Sequence, residues 1–421
     1  MLSQGSGPQA AERLPRGRDL PPIRQPGGIH SQVRRCTMCP RRIVAAAIIL
    51  CFATASAALA TPPSSNILSG VIPSDLTLTV ASPGPVYYVV GDLTVPEGRT
   101  LTVEPGVTLL MGAGLSIGGS LIARGTPADS IYFLGTGGPR LIYGSYGGDV
   151  DFEYTRLTST DVSSSLGELV LSHCALSDGW ITSDNGTVTL SYCYLPGSGI
   201  GTQYSTLRML YCDMPRSYGV HYYFGAASIG GCDIGGTGGE VGIDLYKATL
   251  EGATDDERHQ PTIVHGFATG VVGSPWGLIE NVVTYDNDIG IAGNCSVSLC
   301  TVARNRSGGI DARGGVGQSI VTHNGGYGVR LLDPYSCAIG CSDLWMNSVD
   351  LDSDCQPVPA LISEDPMYLD FANNDFRLAE TSPFKYFGPC GGWEIGAYGP
   401  GSGLPIGTNP TTWGRIKAHY R

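Results

Sequence analysis

Four consecutive segments repeat one pattern around a cysteine, and this repeat decides the fold. The segments read "LGELVLSHCALSDGWITSD" (166–184), "NGTVTLSYCYLPGSGIGTQ" (185–203), "YSTLRMLYCDMPRSYGVHYY" (204–223) and "FGAASIGGCDIGGTGGEVGIDL" (224–245). The aligned cysteines are Cys174, Cys193, Cys212 and Cys232, spaced 19, 19 and 20 residues apart. Self-similarity at a short, nearly fixed period is typical of a solenoid, in which each unit stacks on its neighbours.

Apolar residues form further columns in the same alignment. The column three residues before each cysteine holds Leu171, Leu190, Met209 and Ile229, and the column two residues after it holds Leu176, Leu195, Met214 and Ile234. A third column holds Ile181, Ile200, Val220 and Ile243, and it continues as Val271, Ile291, Ile310 and Val329 with a glycine before each. Apolar residues alternate within each unit, as in strands with one buried face. The three-residue step from Leu171 to Cys174 breaks this alternation and predicts a sharp turn.

Three short strands and three turns in about 20 residues describe one coil of a parallel β-helix. The composition agrees, because 61 of 421 residues are glycine and only 15% are charged, which suits many short strands joined by tight turns. A helical solenoid is the alternative, but it needs longer repeats and much less glycine. We therefore expect an all-β solenoid.

The first 60 residues differ from the rest and predict a secretory signal. A basic stretch ends at Arg41-Arg42, the apolar run "IVAAAIILCFATASAALA" follows, and Ala-Leu-Ala closes it, so we expect cleavage after Ala60. A membrane anchor is the alternative reading of this run. The long segment before it also makes Met38 an alternative start. We expect no transmembrane segment in the mature chain and a secreted or cell-surface location.

The charge of the remaining chain argues against one class of partner. Residues 61–421 keep 17 basic and 35 acidic residues, a net charge near −18. Nucleic-acid binding requires a basic surface, so we expect no nucleic-acid partner.

Two further stretches add a family resemblance to the repeats. They are "DLTVPEGRTLTVEPGVTLLMGAGLSIGGSLIARGTPADSIYFLGT" (92–136) and "EDPMYLDFANNDFRLAETSPFKYFGPCGGWEIGAYG" (364–399). Together with the repeats they resemble the right-handed parallel β-helix superfamily, the pectate-lyase-like fold, and its exported bacterial members. The resemblance implies a right-handed single-stranded parallel β-helix over 83–363, with an N-terminal cap at 61–82 and a closing segment at 364–399. Residues 400–421 then form a linker and a basic tail.

Ten cysteines follow residue 60, and an exported protein meets an oxidising compartment. Stacked coils bring cysteines of one column within disulfide range, yet such columns usually pack as small apolar residues. We favour a ladder of buried thiols over disulfides for the four aligned cysteines, and a metal site is disfavoured because no CxxC pair is present. A disulfide is expected instead in the irregular end region, which holds Cys337, Cys341, Cys355 and Cys390.

The Gly-Ile/Val column predicts which side chains face outward on one sheet. The residue after each Ile or Val points outward, and so does the residue two further on. The first row holds Thr182, Gly201, His221, Asp244, Val272, Ala292, Asp311 and Arg330. The second row holds Asp184, Gln203, Tyr223, Tyr246, Ser274, Asn294, Arg313 and Leu332.

Aromatic faces, carboxylates and arginines in such rows are the groups that hold sugars. In the resembled enzymes the substrate groove lies along an exposed sheet of this kind. The substrate-binding candidates are Tyr223, Tyr246, Gln203 and Asn294, and the catalytic candidates are His221, Asp244, Asp311, Arg313 and Arg330. The alternative reading is a set of surface ion pairs and like-with-like stacks, which stabilise little.

The catalytic signatures of the resembled families are mostly missing. A polygalacturonase would show Asn-Thr-Asp, Asp-Asp, Gly-His-Gly and Arg-Ile-Lys, whereas this chain has "VHGF" (264–267), an acidic loop "DDERH" (255–259) and a triplet Arg415-Ile416-Lys417 in its tail. A calcium-dependent lyase would need several acids, and "DLDSD" (350–354) offers Asp350, Asp352 and Asp354 without the remaining pattern of a calcium loop. No other cofactor is expected.

Three functions remain open. The first is an exported β-helix that binds polysaccharide or cell-surface glycan without catalysis. The second is a polysaccharide lyase, hydrolase or epimerase that acts in a groove on the exposed sheet. The third is a purely structural surface or adhesion protein. The outward polar row favours the first two, and the incomplete signatures count against the second.

Overall fold

In the computed structural model the chain forms a right-handed parallel β-helix of about 13 turns with coils of about 20 residues, as the repeats predict. The structure describes residues 66–80, 85–246, 250–251, 260–332, 338–352, 361–385 and 395–398. The signal segment 1–60 and the tail 400–421, including the Arg-Ile-Lys triplet, lie outside these residues, so both stay predictions.

Most strands are short, and among the described residues the connections between them contain one helical turn, the 3-10 turn at Phe371–Asn373. The N-terminal strands are β1 (Ile67–Val71), β2 (Leu76–Leu78), β3 (Val86–Val95), β4 (Thr100–Val103), β5 (Thr108–Met111), β6 (Leu115–Ile117), β7 (Ser120–Arg124), β8 (Ile131–Gly135), β9 (Arg140–Gly144), β10 (Asp149–Glu153), β11 (Thr155–Thr158) and β12 (Thr160–Ser165). The central strands are β13 (Glu168–Ser172), β14 (Ala175–Ser177), β15 (Trp180–Asp184), β16 (Thr187–Ser191), β17 (Gly199–Leu210), β18 (Asp213–Met214), β19 (Gly219–Gly230), β20 (Asp233–Gly235), β21 (Val241–Tyr246), β22 (Leu250–Glu251), β23 (Thr262–His265) and β24 (Thr269–Glu280). The C-terminal strands are β25 (Val282–Tyr285), β26 (Ile289–Ser298), β27 (Thr301–Ala303), β28 (Gly308–Ala312), β29 (Val316–Gly317), β30 (Ile320–Thr322), β31 (Tyr327–Leu331), β32 (Ile339–Gly340), β33 (Ser342–Trp345), β34 (Val349–Asp352), β35 (Leu361–Ile362), β36 (Tyr368–Asp370) and β37 (Asp375–Leu378), with a 3-10 turn at Phe371–Asn373.

Each coil contributes to three parallel sheets, which we call sheets 1, 2 and 3. Sheet 1 carries the Gly-Ile/Val column, and it includes β15 and the first halves of β17 and β19. Sheet 2 includes β16 and the second halves of the same two strands, which pass the corner between the sheets without a break. Sheet 3 includes β18, β20, β23 and β25. The core lies between the three sheets.

The sharp turn predicted before each cysteine is confirmed. His173, Tyr192, Tyr211 and Gly231 occupy equivalent corners, and all have left-handed backbone conformations with φ between 53° and 62°. This conformation is costly for residues other than glycine, Asn and Asp. The rings of Tyr154, His173, Tyr192 and Tyr211 form a continuous stack with centroid spacings of 4.8, 5.0 and 5.2 Å. Aromatic stacking offsets part of that backbone cost.

The inward columns form a dry core. Leu171, Leu176 and Ile181 and their counterparts in the next coils have no solvent exposure. Full burial stabilises each such side chain by about 1.5–3 kcal/mol. No coil buries this surface alone, because each contacts only its two neighbours, so the stacking of coils creates the core.

The four aligned cysteines are free buried thiols, which confirms the thiol ladder. Their Sγ atoms donate to nearby carbonyls, as from Cys174 to Ser172 at 3.3 Å. Burial raises the pKa of Cys174 and of Cys212 well above the usual range, so neither is a reactive thiolate. In the end region Cys341 is disulfide-bonded, as expected there.

We expect the thiol ladder to resist alkylation in the folded protein. Native protein incubated with iodoacetamide at pH 8 should show no modification at Cys174, Cys193, Cys212 or Cys232 by peptide mass spectrometry, since all four are buried. The same protein in denaturant, treated identically, should be modified at all four. Modification of the native chain at any of them would contradict the dry core.

A ladder of asparagines, buried except for a half-buried last member, was not predicted from the sequence. Asn287, Asn305, Asn324 and Asn347 occupy one corner of successive coils, and each Nδ2 donates to the next side chain at 3.1, 3.0 and 2.9 Å. The ladder ends where Asn347 donates to Asp350 Oδ1 at 3.0 Å. These amides therefore connect the C-terminal coils through the interior.

Both end segments make specific contacts with the solenoid. The segment assigned to an N-terminal cap contains β1 and β2, which pair in parallel with β3 and β4, so it forms part of the first coil. The described part of the closing segment packs on the outer face of sheet 3, where Phe376 joins Val283, Tyr285 and Ala303 in one buried cluster. Whether 61–82 and 364–399 act as caps stays a prediction. No helix among the described residues is long and apolar enough to cross a membrane.

Candidate functional site

The outward row on sheet 1 has the predicted register. Consecutive members are direct neighbours on adjacent coils, from Thr182 through Gly201, His221, Asp244, Val272, Ala292 and Asp311 to Arg330. The row extends one coil further, because Arg330 is opposite Asp352. The strand spacing of about 4.8 Å places His221 about 24 Å from Arg330.

The second row has the predicted exposure at every position except Ser274, and Asn294, Arg313 and Leu332 are exposed as predicted. Asp184, Gln203, Tyr223 and Tyr246 are successive neighbours, as predicted. Ser274 was expected to face outward, but it is buried. The physical reason is an irregularity in β24, where the register with β26 shifts between Gly273 and Gly277 and the strict alternation of faces is lost.

An aromatic platform covers sheet 1 around His221. We define it as Trp180, Tyr218, Tyr223 and Tyr246, whose side chains are 37%, 54%, 42% and 43% exposed. The rings of Trp180 and Tyr218 stack at 5.7 Å, and those of Tyr223 and Tyr246 lie 6.2 Å apart at 45°. Gln203 is exposed beside Tyr223 on the preceding coil. The structure therefore brings three of the four predicted substrate-binding residues together.

The outward rows predicted from the sequence do not include Trp180 and Tyr218, although the glycine column contains a pattern that indicates Trp180. The residue before each apolar member of the column is usually glycine, and Trp180 is the exception beside Ile181. The next coil has Gly199 opposite Trp180. A Cβ atom at Gly199 would lie 2.5 Å from the indole ring, so the glycine makes room for that ring. A tryptophan in a glycine column, followed by glycine in the next coil, marks a ring lying flat across the sheet.

The His221–Asp244 pair is held by contacts within the protein. His221 Nε2 lies 3.1 Å from the carbonyl oxygen of Tyr218 and donates to it, and Nδ1 lies 4.0 Å from Asp244 Oδ2. The nearby carboxylate of Asp244, together with the Tyr218 carbonyl and the charge of Glu240, raises the pKa of His221 against the effect of burial. Both ring nitrogens thus face protein acceptors. A general base needs a nitrogen that reaches the substrate proton, and here Nε2 is already bonded to the Tyr218 carbonyl.

Asp311 and Arg330 form a second cluster. Arg330 donates to Asp311 Oδ2, and the Tyr327 hydroxyl donates to the same oxygen at 3.4 Å. The guanidinium carbon lies 4.3 Å from the Tyr327 ring centroid. The hydrogen bond to Asp311 raises the pKa of Arg330, so it remains a fixed cation. This is a surface ion pair supported by an aromatic ring, and Tyr327 was not predicted as part of it.

The other candidates lie apart from the platform. Arg313 and Asn294 are exposed, and Asn294 is on the coil of Ile291, two coils beyond the coil of Tyr246. Val272 and Ala292 separate Asp244 from Asp311, a distance of about 14 Å by strand spacing. The five catalytic candidates are therefore not gathered in one place, and their roles stay predictions.

The calcium candidates are separated by their contacts. Asp350 accepts the terminal hydrogen bond of the asparagine ladder, and Asp352 lies beside Arg330. Asp354 lies outside the described residues. Within the part of the chain that the structure describes, no group of three His, Cys, Asp or Glu residues is arranged to hold a metal.

Comparisons with known proteins agree on the fold. No protein-family model matches the sequence, and no curated protein matches it significantly. Among solved structures, the periplasmic alginate epimerase AlgG is similar, with 13% identity and a TM-score of 0.40 over 70% of this chain and 84% of that one. Pectate lyase Pel9A is similar with 13% identity and a TM-score of 0.27 over 72% of this chain and 88% of that one. The likeness to these two structures concerns the fold alone, and the parallel β-helix itself is established by the stacked coils described above.

Proposed function

We propose that this protein is exported and binds glycan on the aromatic platform of sheet 1, without catalysis. The observation that carries the proposal is the platform itself, where four large aromatic side chains are between 37% and 54% exposed on one face. Soluble proteins rarely leave such aromatic groups together unless they form a binding surface. Rings offer apolar faces to the C–H surfaces of sugars, and the neighbouring amide and carboxylates accept or donate hydrogen bonds to hydroxyls.

The geometry favours binding over catalysis. A hydrolase, lyase or epimerase needs an acid or base that reaches the substrate, and the imidazole beside the platform has both nitrogens directed at protein acceptors. Asp311 and Arg330 are paired with each other, four and five coils from His221. Binding requires only exposed rings and polar groups, and the platform has both without any rearrangement.

We expect substitution of both platform tyrosines to weaken glycan binding strongly. The Tyr223→Ala/Tyr246→Ala variant removes two anchors that are each about two-fifths exposed. Loss of two aromatic anchors should weaken binding about 10- to 100-fold. The measurement is affinity electrophoresis or calorimetry against a panel of acidic, neutral and amino polysaccharides, with and without Ca²⁺.

Tyr146→Ala is the matched control. Tyr146 is 87% exposed and lies in the turn between β9 and β10, away from the platform. Its loss should leave retention unchanged. Equal binding by the double variant and the original chain would overturn the platform as the site, and failure of every polysaccharide to bind would leave the structural or adhesion reading.

A second candidate function is a polysaccharide lyase, hydrolase or epimerase. The observation in its favour is the single outward row that carries His221, Asp244, Asp311 and Arg330 on one sheet. The same panel tests it, because unsaturated or reducing-end product would require a catalytic site. Product formation that is lost in His221→Gln would place that site at the platform.

A further inference from the structure

The aromatic platform is surrounded by carboxylates. Asp161 lies on the coil before Trp180, and its Oδ1 accepts the Trp180 backbone N–H at 2.8 Å. Asp184 ends the strand that begins at Trp180, and it is exposed. Glu240 is exposed just before β21, and Asp244 lies within that strand beside His221. Four acids therefore flank the rings from both sides.

Few positive charges offset these acids in the described part of the platform. His221 is held between Asp244 and the Tyr218 carbonyl. Arg216 is exposed at the corner two residues before Tyr218. Asp244 and Glu240 both stabilise the protonated form of His221 and raise its pKa. The site thus has an excess of negative charge next to exposed aromatic faces.

We propose that the platform selects glycans made of cationic amino sugars over polyuronates. This inference rests on the proposed glycan-binding function and specifies its ligand class. An ammonium group gains from nearby carboxylates and from the electron-rich faces of Trp and Tyr. A polyuronate would instead bring a carboxylate in each sugar unit against four acids, which raises its electrostatic cost of binding. The net charge near −18 of residues 61–421 acts in the same direction.

The test compares three hexamers on the full chain at low ionic strength. The probes are glucosamine, N-acetylglucosamine and galacturonic acid hexamers, measured by calorimetry at pH 6, where the free amine is protonated. We expect the glucosamine hexamer to bind at least about ten-fold more tightly than either of the others. The preference should shrink as salt is raised, because salt screens exposed charges.

A charge-neutral variant locates the preference. Asp184→Asn/Glu240→Gln changes two exposed side chains and leaves the His221–Asp244 pair in place. Exposed pairs contribute modestly, so the ratio of affinities for glucosamine over N-acetylglucosamine should fall about five-fold. Glu168→Gln/Asp129→Asn makes the same charge change at exposed positions of other strands and loops, and it should keep that ratio.

The outcomes separate this inference from the proposed function. Binding of neutral or acidic hexamers that needs Tyr223 and Tyr246 but shows no preference for glucosamine would overturn the charge selection and keep glycan binding. An equal fall in both charge variants would also overturn it, because the effect would then come from overall charge. Retention of none of the three hexamers, nor of any panel polysaccharide, would overturn both.

Discussion

Replacing Asn305 by alanine should lower the free energy of unfolding by about 3 kcal/mol or more. Asn305 is 1% exposed, and its Oδ1 accepts from the backbone N–H and from Nδ2 of Asn287 at 3.2 and 3.1 Å. Its own Nδ2 donates to Asn324 Oδ1 at 3.0 Å. Alanine leaves two donors of Asn287 buried without these partners, and each such loss costs about 1–3 kcal/mol. The cavity left by the amide adds to the cost.

The measurement is urea-induced unfolding monitored by circular dichroism, from which the midpoint and the slope of the transition are compared. Asn294→Ala is the matched control, because Asn294 is exposed on a neighbouring coil and its loss should cost less than about 0.5 kcal/mol. Asn347 lies at the less buried end of the ladder, so the loss of stability in Asn347→Ala should lie between those of the other two variants. If Asn305→Ala and Asn294→Ala unfold at the same urea concentration, the ladder does not stabilise the solenoid.

Aligning apolar columns in the sequence does not find buried polar columns, and the asparagine ladder is an example. The apolar columns fix register, since a one-residue slip would turn buried side chains outward. That constraint is why the coils and the neighbours His221 and Asp244 were predicted correctly. The asparagines recur at irregular steps of 18, 19 and 23 residues, because turn lengths vary between coils. Their polar side chains are buried only because each bonds the next, which no single repeat shows.

The candidate site was predictable to the extent that strand alternation holds. Tyr223, Tyr246 and Gln203 follow from counting two residues at a time from the column. The prediction that Ser274 faces outward was wrong, because the register shift in β24 interrupts the alternation of inward and outward side chains. Trp180 and Tyr218 lie at or before the glycine position, where rings lie across the sheet, and counting outward positions does not find them. Pairing of His221 with the Tyr218 carbonyl depends on a turn and requires coordinates.

Raising the pH from about 4 to about 7 should destabilise the docking of the closing segment, because one carboxyl is buried there. Asp343 has no solvent exposure, and its Oδ1 accepts the Glu364 backbone N–H at 3.0 Å. Its Oδ2 is buried without a hydrogen-bond partner among the described residues. Burial raises the pKa of Asp343 to about 7, and the charges of Glu364, Asp350 and Asp365 act in the same direction. The buried Tyr368 hydroxyl is a further titratable group that the Asp343 charge influences.

The difference in proton binding between the folded and unfolded chain determines how stability changes with pH. The folded protein holds this proton more tightly than the unfolded chain, whose carboxyl has an ordinary pKa near 3.8. Stability from Asp343 is therefore complete below that pKa and decreases with rising pH until about 7. The two pKa values are about three pH units apart, and each unit corresponds to about 1.4 kcal/mol. The folded protein therefore loses stability on the order of 4 kcal/mol over this range, and residual structure in the unfolded chain reduces the loss. Above pH 8 no further loss is expected from this group.

Asp343→Asn should remove this dependence. Asparagine keeps an acceptor for the Glu364 N–H but carries no charge, so the stability advantage of the variant should grow with pH from about pH 4 to about pH 7 and stay constant above pH 8. Urea midpoints at pH 5, 6, 7 and 8 give the comparison, and hydrogen exchange over 361–385 shows whether the change is confined to the closing segment. Asp184→Asn, at an exposed position, is the control and should follow the original chain. Parallel pH curves for Asp343→Asn and the original chain would mean that Asp343 is ionised at no cost in the folded protein.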